Sequence, residues 1–215
     1  MKKLYPEFLS DLHQHSPIDD VNETLSSLEK HAIDIVPWNE YNYKPEVYFS
    51  IAYAHDAVFL KFEVQEKVVQ ALYRRINEPV YKDTCVEFFI ALADDAEYYN
   101  FEFNCLGTAL AAYGKNRDER KFLPVDIIKK IRKQSSFKSS IGKENALVAW
   151  ELVLVIPVSA FCFHQIDSLK GKSGRVNLYK CGDDLPEPHY LAWNNIQTPK
   201  PDFHRPEFFG EIYFN

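Results

Sequence analysis

The sequence predicts an all-β fold, an antiparallel β-sandwich carrying one or two short helices. Short segments alternate apolar and polar positions, the period-two signature of strands. The connections between them look antiparallel and carry Asp, Asn, Gly and Pro. Aromatic residues make up 15% of the chain, including thirteen Tyr and sixteen Phe, and such rings suit pleated, half-buried surfaces.

Residues 1–32 read as a polar lead-in ending in a short helix, ahead of a sandwich over residues 33–215. Asp19-Asp20 caps that helix, which runs to about His31 with Val21, Leu25 and Leu28 at helical spacing. Residues 47–54 form a strand with Val47, Phe49, Ile51 and Tyr53 on one face. His55-Asp56 turns the chain into a partner over 57–65, with Val58, Leu60, Phe62 and Val64 inward and Lys61 and Glu63 outward. A long polar connection over 66–82 leads to a strand at 84–92. The chain returns over 98–105, kinks at Leu106-Gly107 and continues over 108–113. Pro124 opens a second helix over 124–133, with Val125, Ile128 and Ile131 on one face. Strands follow at 137–141 and 147–156. Residues 171–174 read as a loop, and the last strands lie at 175–180, 190–193 and 209–214.

A length of 215 residues fits one large β domain or two small ones, and 46% hydrophobic residues supply a sizeable core. The net charge of −6 argues against a nucleic-acid partner, which needs a basic face. No apolar run is long enough to span a membrane, and Glu7, Asp11 and His13 interrupt any signal-peptide core. The expected location is cytoplasmic as read, or secreted if the N-terminus is trimmed. Cys85, Cys105, Cys162 and Cys181 form no CxxC pair and are expected as reduced thiols, although a hairpin over 84–105 leaves a Cys85–Cys105 bridge open.

The richest chemistry lies in the last third. Residues 177–184, 189–194 and 201–210 mix aromatics, amides, carboxylates and basic groups with turn residues, and a ligand site is expected there. Trp193 is flanked by His189-Tyr190 and Asn194-Asn195, a setting that suits a sugar C–H face stacked on an indole; sheet packing is the competing reading. Trp150 and Trp38 read as packing residues. Glu87, Glu102 and Asn104 sit on neighbouring strands and face either a groove or solvent. Arg75, with Arg74, Arg117, Lys180 and Arg205, is a candidate donor to sugar oxygens. His189 and His204 lack metal-site spacing. Asp183, Asp184 and Glu187 form an acidic loop that suits calcium or simple solvation. With Met1 the only methionine, Met/His haem ligation is not expected.

Asp83-Thr84-Cys85-Val86-Glu87-Phe88-Phe89-Ile90 resembles the D-S-V-E strand of family-9 carbohydrate-binding modules, which are DOMON-like, immunoglobulin-like β-sandwiches. Val148 through Pro157 and the ending Leu191-Ala192-Trp193-Asn194 … Arg205-Pro206-Glu207-Phe208-Phe209-Gly210 are similar to two further motifs of that family, in order, over about residues 33–214. The elaborations look like a Bacteroidetes-type branch associated with polysaccharide use. The resemblance implies non-catalytic binding of a terminal sugar between two aromatic walls. Trp193 would be one wall and Tyr81 the other, with Glu87 a polar contact, Glu102 standing where the family has arginine, and structural calcium possible. Arg75, Asn104 and His189 complete the expected binding set. Two alternatives stay open: a glycoside-active enzyme using Glu87 and Glu102 as paired carboxylates, or a DOMON-like module for a non-sugar ligand or a protein.

Overall fold

The computed structural model describes residues 1–139 and 147–215. In chain order the elements are β1 (Lys3–Leu4), β2 (Glu7–Phe8), α1 (Ile18–Ser27), β3 (His31–Ala32), β4 (Glu46–Tyr53), β5 (Ala57–Glu66), β6 (Cys85–Leu92), β7 (Tyr98–Asn104), β8 (Ala109–Gly114), β9 (Lys121–Phe122), α2 (Val125–Ile128), β10 (Arg132–Ser139), β11 (Val148–Pro157), β12 (Lys172–Cys181), β13 (Tyr190–Ala192) and β14 (Gly210–Phe214). They make the expected β-sandwich. The larger sheet runs β1-β14-β12-β6-β7-β8-β9, with β13 also on β12. The smaller runs β10-β11-β5-β4-β2, with β3 also on β4.

The period-two patterns decide which faces meet. Phe49 pairs with Phe62 and Tyr53 with Val58 across β4 and β5. These side chains, with Trp150, Leu152 and Leu154 of β11, oppose Val86, Phe88, Ile90, Phe101 and Phe103 of the larger sheet in one buried core. The outer face of the smaller sheet carries Ala52, Phe59, Val153 and Val155 and is covered by Val21 and Leu25 of α1. Lys61, expected in solvent, is therefore only 3% exposed; its ammonium reaches Ser26 at 2.9 Å and Glu151 at 3.0 Å.

Several boundaries differ from the sequence reading. The lead-in is stitched into both sheets, β1 parallel to β14 and β2 parallel to β4. Helix α1 stops at Ser27 because His31–Ala32 is taken up by β4. Pro17 occupies its N-cap, so Asp19 and Asp20 lie in the first turn, where the helix dipole favours them, and make no side-chain cap. The second helix shrinks to the four residues of α2, because Arg132 onward pairs with β11 in a continuous ladder and one turn of helix is marginal alone. The strand expected over 137–141 thus begins earlier, and residues 140–141 lie outside the described set. The expected loop over 171–174 is mostly strand: only Gly171 turns, at φ +75°, and Gly174 lets β12 approach Ala91, whose carbonyl a Cβ would meet at 2.2 Å.

Candidate functional site

The outer face of the larger sheet faces loops. Cys85, Glu87 and Phe89 of β6, Tyr98, Asn100 and Glu102 of β7, and Tyr179 and Cys181 of β12 point away from the inter-sheet core. The segments 70–83 and 193–209 cover much of this face with aromatic packing. Between them a cavity of about 150 Å³ remains open. Glu87, Glu102 and Cys181 form its floor; Tyr81, Tyr190, Phe203 and His204 wall it; Arg117, Arg120, Asp183 and Asp202 ring it. Much of the C-terminal stretch singled out in the sequence converges here.

Each wall has a support. Tyr81 sits in a 3₁₀ turn, Val80–Lys82, whose carbonyls accept from the Asp183 and Asp184 amides at 3.2 and 3.1 Å. Asp83, fully buried, holds the preceding loop by accepting from the Leu72 and Tyr73 amides at 2.9 and 3.0 Å. Phe203 stacks on Tyr179 at 4.1 Å, and the Tyr179 hydroxyl donates to the Phe203 carbonyl at 3.1 Å. Trp38 packs against Tyr190 and Phe203 and donates its indole N–H to Thr198 at 2.8 Å, tying down the long loop.

The floor is acidic and buried. Glu87 and Glu102 are 3% and 1% exposed and are direct partners in the β6–β7 ladder. Burial, reinforced by Glu102, pushes the Glu87 carboxyl well above the usual range. Burial also raises Glu102, against the pull of Arg120. Glu102 Oε1 accepts from Asn100 at 2.8 Å and from Arg120 at 3.0 Å, whereas Oε2 is buried and accepts from no described residue. Glu87 accepts from the Cys181 thiol at 3.2 Å. Arg120 also donates to His204 Nε2 at 3.1 Å, so the His204 proton sits on Nδ1, 2.7 Å from the Tyr98 hydroxyl. Burial beside Arg120 and Arg117 pushes His204 down to about 2, so the ring is neutral. Burial raises Asp183 to about 6. The site thus offers aromatic faces above a floor rich in acceptors.

Of the residues expected to bind, the structure brings Tyr81, Glu87 and Glu102 to this cavity. Four others lie elsewhere. Trp193 is 3% exposed in the inter-sheet core, edge-on to Phe49 at 6.1 Å and against Gly210. It follows Leu191 at a spacing of two, which points both side chains inward. Asn104 is used up as a clamp, donating to Tyr73 and Asp83 and accepting from the Leu106 and Thr108 amides. The Arg75 side chain is 89% exposed, with Glu78 4.0 Å away. His189 is buried at the end of the core, accepting from Lys180 at 2.8 Å. Lys180 in turn pairs with Glu66 at 3.1 Å, and Glu66 takes the Trp150 indole N–H at 2.7 Å. Sequence reasoning missed Tyr190, Phe203, Asp183, Arg120, Asp202 and Cys181 as a set. The signal was the run Pro201-Asp202-Phe203-His204, where an aromatic without strand alternation lies between turn residues.

The acidic loop does not form a calcium cage. Asp184 and Glu187 pair with Lys82 and Lys67, and Asp183 faces the cavity. Among the described residues, the one grouping of three potential side-chain ligands is Cys85, Glu87 and Cys181, a thiol-rich set unsuited to calcium. Burial pushes the Cys85 thiol up to about 12 and raises Cys181 as well, so both stay protonated, and the Cys181 proton is engaged by Glu87. The Cys85–Cys105 bridge does not form. Cys85 lies on the outer face and Cys105 in the inter-sheet core, and both are free.

Residues 19–214 match the model of carbohydrate-binding family 9. A candidate carbohydrate-binding protein from Bacteroides uniformis is 37% identical, covers 100% of this chain and 99% of its own, and superposes with a TM-score of 0.90. A family-9 module from Caldicellulosiruptor kristjanssonii, solved with glucose, has a TM-score of 0.58 at 13% identity, covering 100% of this chain and 96% of its own. The same organism's module with cellotriose has a TM-score of 0.57 at 14% identity, covering 99% and 93%. At such identities these two share the fold. No curated protein matches the chain.

Proposed function

The chain belongs to carbohydrate-binding family 9, a family of non-catalytic modules, and from that premise we propose that it holds the end residue of an oligo- or polysaccharide in the cavity over Glu87 and Glu102. The observation that carries this reading is the pairing of aromatic walls, Tyr81, Tyr190 and Phe203, with a buried acceptor on Glu102 that has no hydrogen-bond partner among the described residues. A sugar ring offers an apolar C–H face to such walls and hydroxyl donors to such a floor. A cavity of about 150 Å³ suits a terminal ring better than the middle of a chain. The glucose and cellotriose complexes of the Caldicellulosiruptor module support a hexose end as ligand class. The two carboxylates stand side by side on one floor, an arrangement for reading hydroxyls, whereas glycoside cleavage needs them to flank a bond.

Binding of about millimolar to micromolar strength, roughly −4 to −8 kcal/mol, is the range to measure. Calorimetry against glucose, cellobiose, xylose and galactose tests the reading. Binding of at least one sugar, weakened about tenfold or more by Tyr81→Ala, is the expected result. Undiminished binding in that variant rejects the site.

A further inference from the structure

Acidic groups outnumber basic ones in the cavity. Four carboxyl groups line it, Glu87, Glu102, Asp183 and Asp202, against two guanidinium groups, Arg117 and Arg120, and with no further cation among the described lining residues Glu87 and Glu102 hold on to protons beyond their ordinary range. Both guanidinium groups are committed: Arg120 lies 3.0 Å from Glu102 and Arg117 3.5 Å from Asp202. Lys82, the neighbouring cation, pairs with Asp184. His204 is neutral, because its Nε2 accepts from Arg120. No described basic side chain reaches salt-bridge distance of Glu87 or Asp183, and Glu102 Oε2 is buried without a hydrogen bond from any described residue. Above this floor stand the rings of Tyr81, Tyr190 and Phe203, and aromatic faces attract cations.

A neutral sugar satisfies only part of this arrangement. Its hydroxyl can donate to Glu102 Oε2 but brings no positive charge against which Glu87 could release its proton and ionise. We infer that the sugar this site prefers carries a free amino group, whose ammonium enters between the carboxylates of Glu87 and Glu102 under the tyrosine walls. The inference rests on the reading of this cavity as the sugar site. Hydrogen bonds between ionised partners are about twice as strong as neutral ones, and a water-poor floor screens them little. Acetylating the amine removes the charge and adds bulk where Glu87 and Glu102 are already packed.

Calorimetric titration of the full chain at pH 7 and low salt with glucosamine, glucose, cellobiose and N-acetylglucosamine tests the inference. Glucosamine is expected to bind at least tenfold tighter than glucose, and N-acetylglucosamine no tighter than glucose. The preference should disappear in Glu87→Gln. Asp183→Asn, a change at the rim, should reduce it and provides a second variant should Glu87→Gln fail to fold. Glucose or cellobiose bound as tightly as glucosamine, or a preference unaltered in both variants, overturns the amine while leaving the sugar site intact. If none of the four sugars binds, the reading beneath falls and the inference falls with it.

Discussion

Glu87 and Glu102 face each other across adjacent strands, both nearly sealed from water, with one arginine contacting only Glu102. Two carboxylates so placed cannot both ionise cheaply, since each like charge and each lost water raises the other's affinity for a proton. The consequence is a pH dependence. Both groups titrate above their ordinary value of 4.5, so the folded chain keeps protons that the unfolded chain has released. Stability therefore falls as pH rises through the window from 4.5 to the raised values. In thermal melts of the unliganded protein between pH 5 and pH 8, the Tm of the native chain relative to Glu87→Gln should fall as pH rises. Parallel slopes would contradict the coupling.

The acid side has the opposite sign and a different origin. His189 and His204 are held neutral, pushed down to about 3 and about 2 from 6.5, chiefly by burial. Above pH 6.5 their contribution is full. Below it the unfolded chain takes up protons that the folded one refuses, at a cost of up to about 1.4 kcal/mol per pH unit for each ring. The denaturant midpoint of the native chain relative to His189→Gln should drop in the order pH 7, 6 and 5.

Lys180 and Glu66 form a fully buried ion pair at the end of the core, tied to Trp150 and His189. Removing one member strands the other. Lys180→Met should cost about 3–5 kcal/mol in urea unfolding. Lys67→Met, which breaks the exposed pair with Glu187, should leave the urea midpoint nearly unchanged.

Trp193 and Gly210 are a packing pair. A Cβ on Gly210 would come within 2.6 Å of the indole and 2.8 Å of the Lys2 carbonyl. Gly210→Ala should destabilise by about 1–3 kcal/mol through overpacking, and Trp193→Ala by about 3–5 kcal/mol through cavity formation. Sugar affinity measured below the melting range should stay within twofold in both. A tenfold loss in Trp193→Ala with Gly210→Ala unaffected would return the indole to the site.

The strands were readable because alternation reports one buried face: Val58, Leu60, Phe62 and Val64 point to the core as their spacing requires. The floor was readable for the same reason, since Glu87 and Glu102 interrupt apolar strands at outward positions. The wall opposite Tyr81 was not. Trp193 and Tyr190 lie on opposite faces because a shift of an odd number of positions reverses a side chain, and sequence neighbours do not reveal which face is covered. Phe203 comes from a long loop whose path is set by Trp38, 165 positions earlier in the chain, and no local pattern encodes that contact. Asn104 and His189 looked like ligand readers because polarity shows in sequence, whereas the partners that occupy them come from distant segments.

The most direct test of the central claim is amide and indole chemical-shift mapping during titration with a sugar that binds. The account predicts shifts at Tyr81, Glu87, Glu102, Asp183, Tyr190 and Phe203 and at the Trp38 indole behind the wall, with the Trp150 and Trp193 indoles unmoved. Shifts centred on the Trp193 indole, Arg75 or His189, with the cavity residues silent, would contradict it.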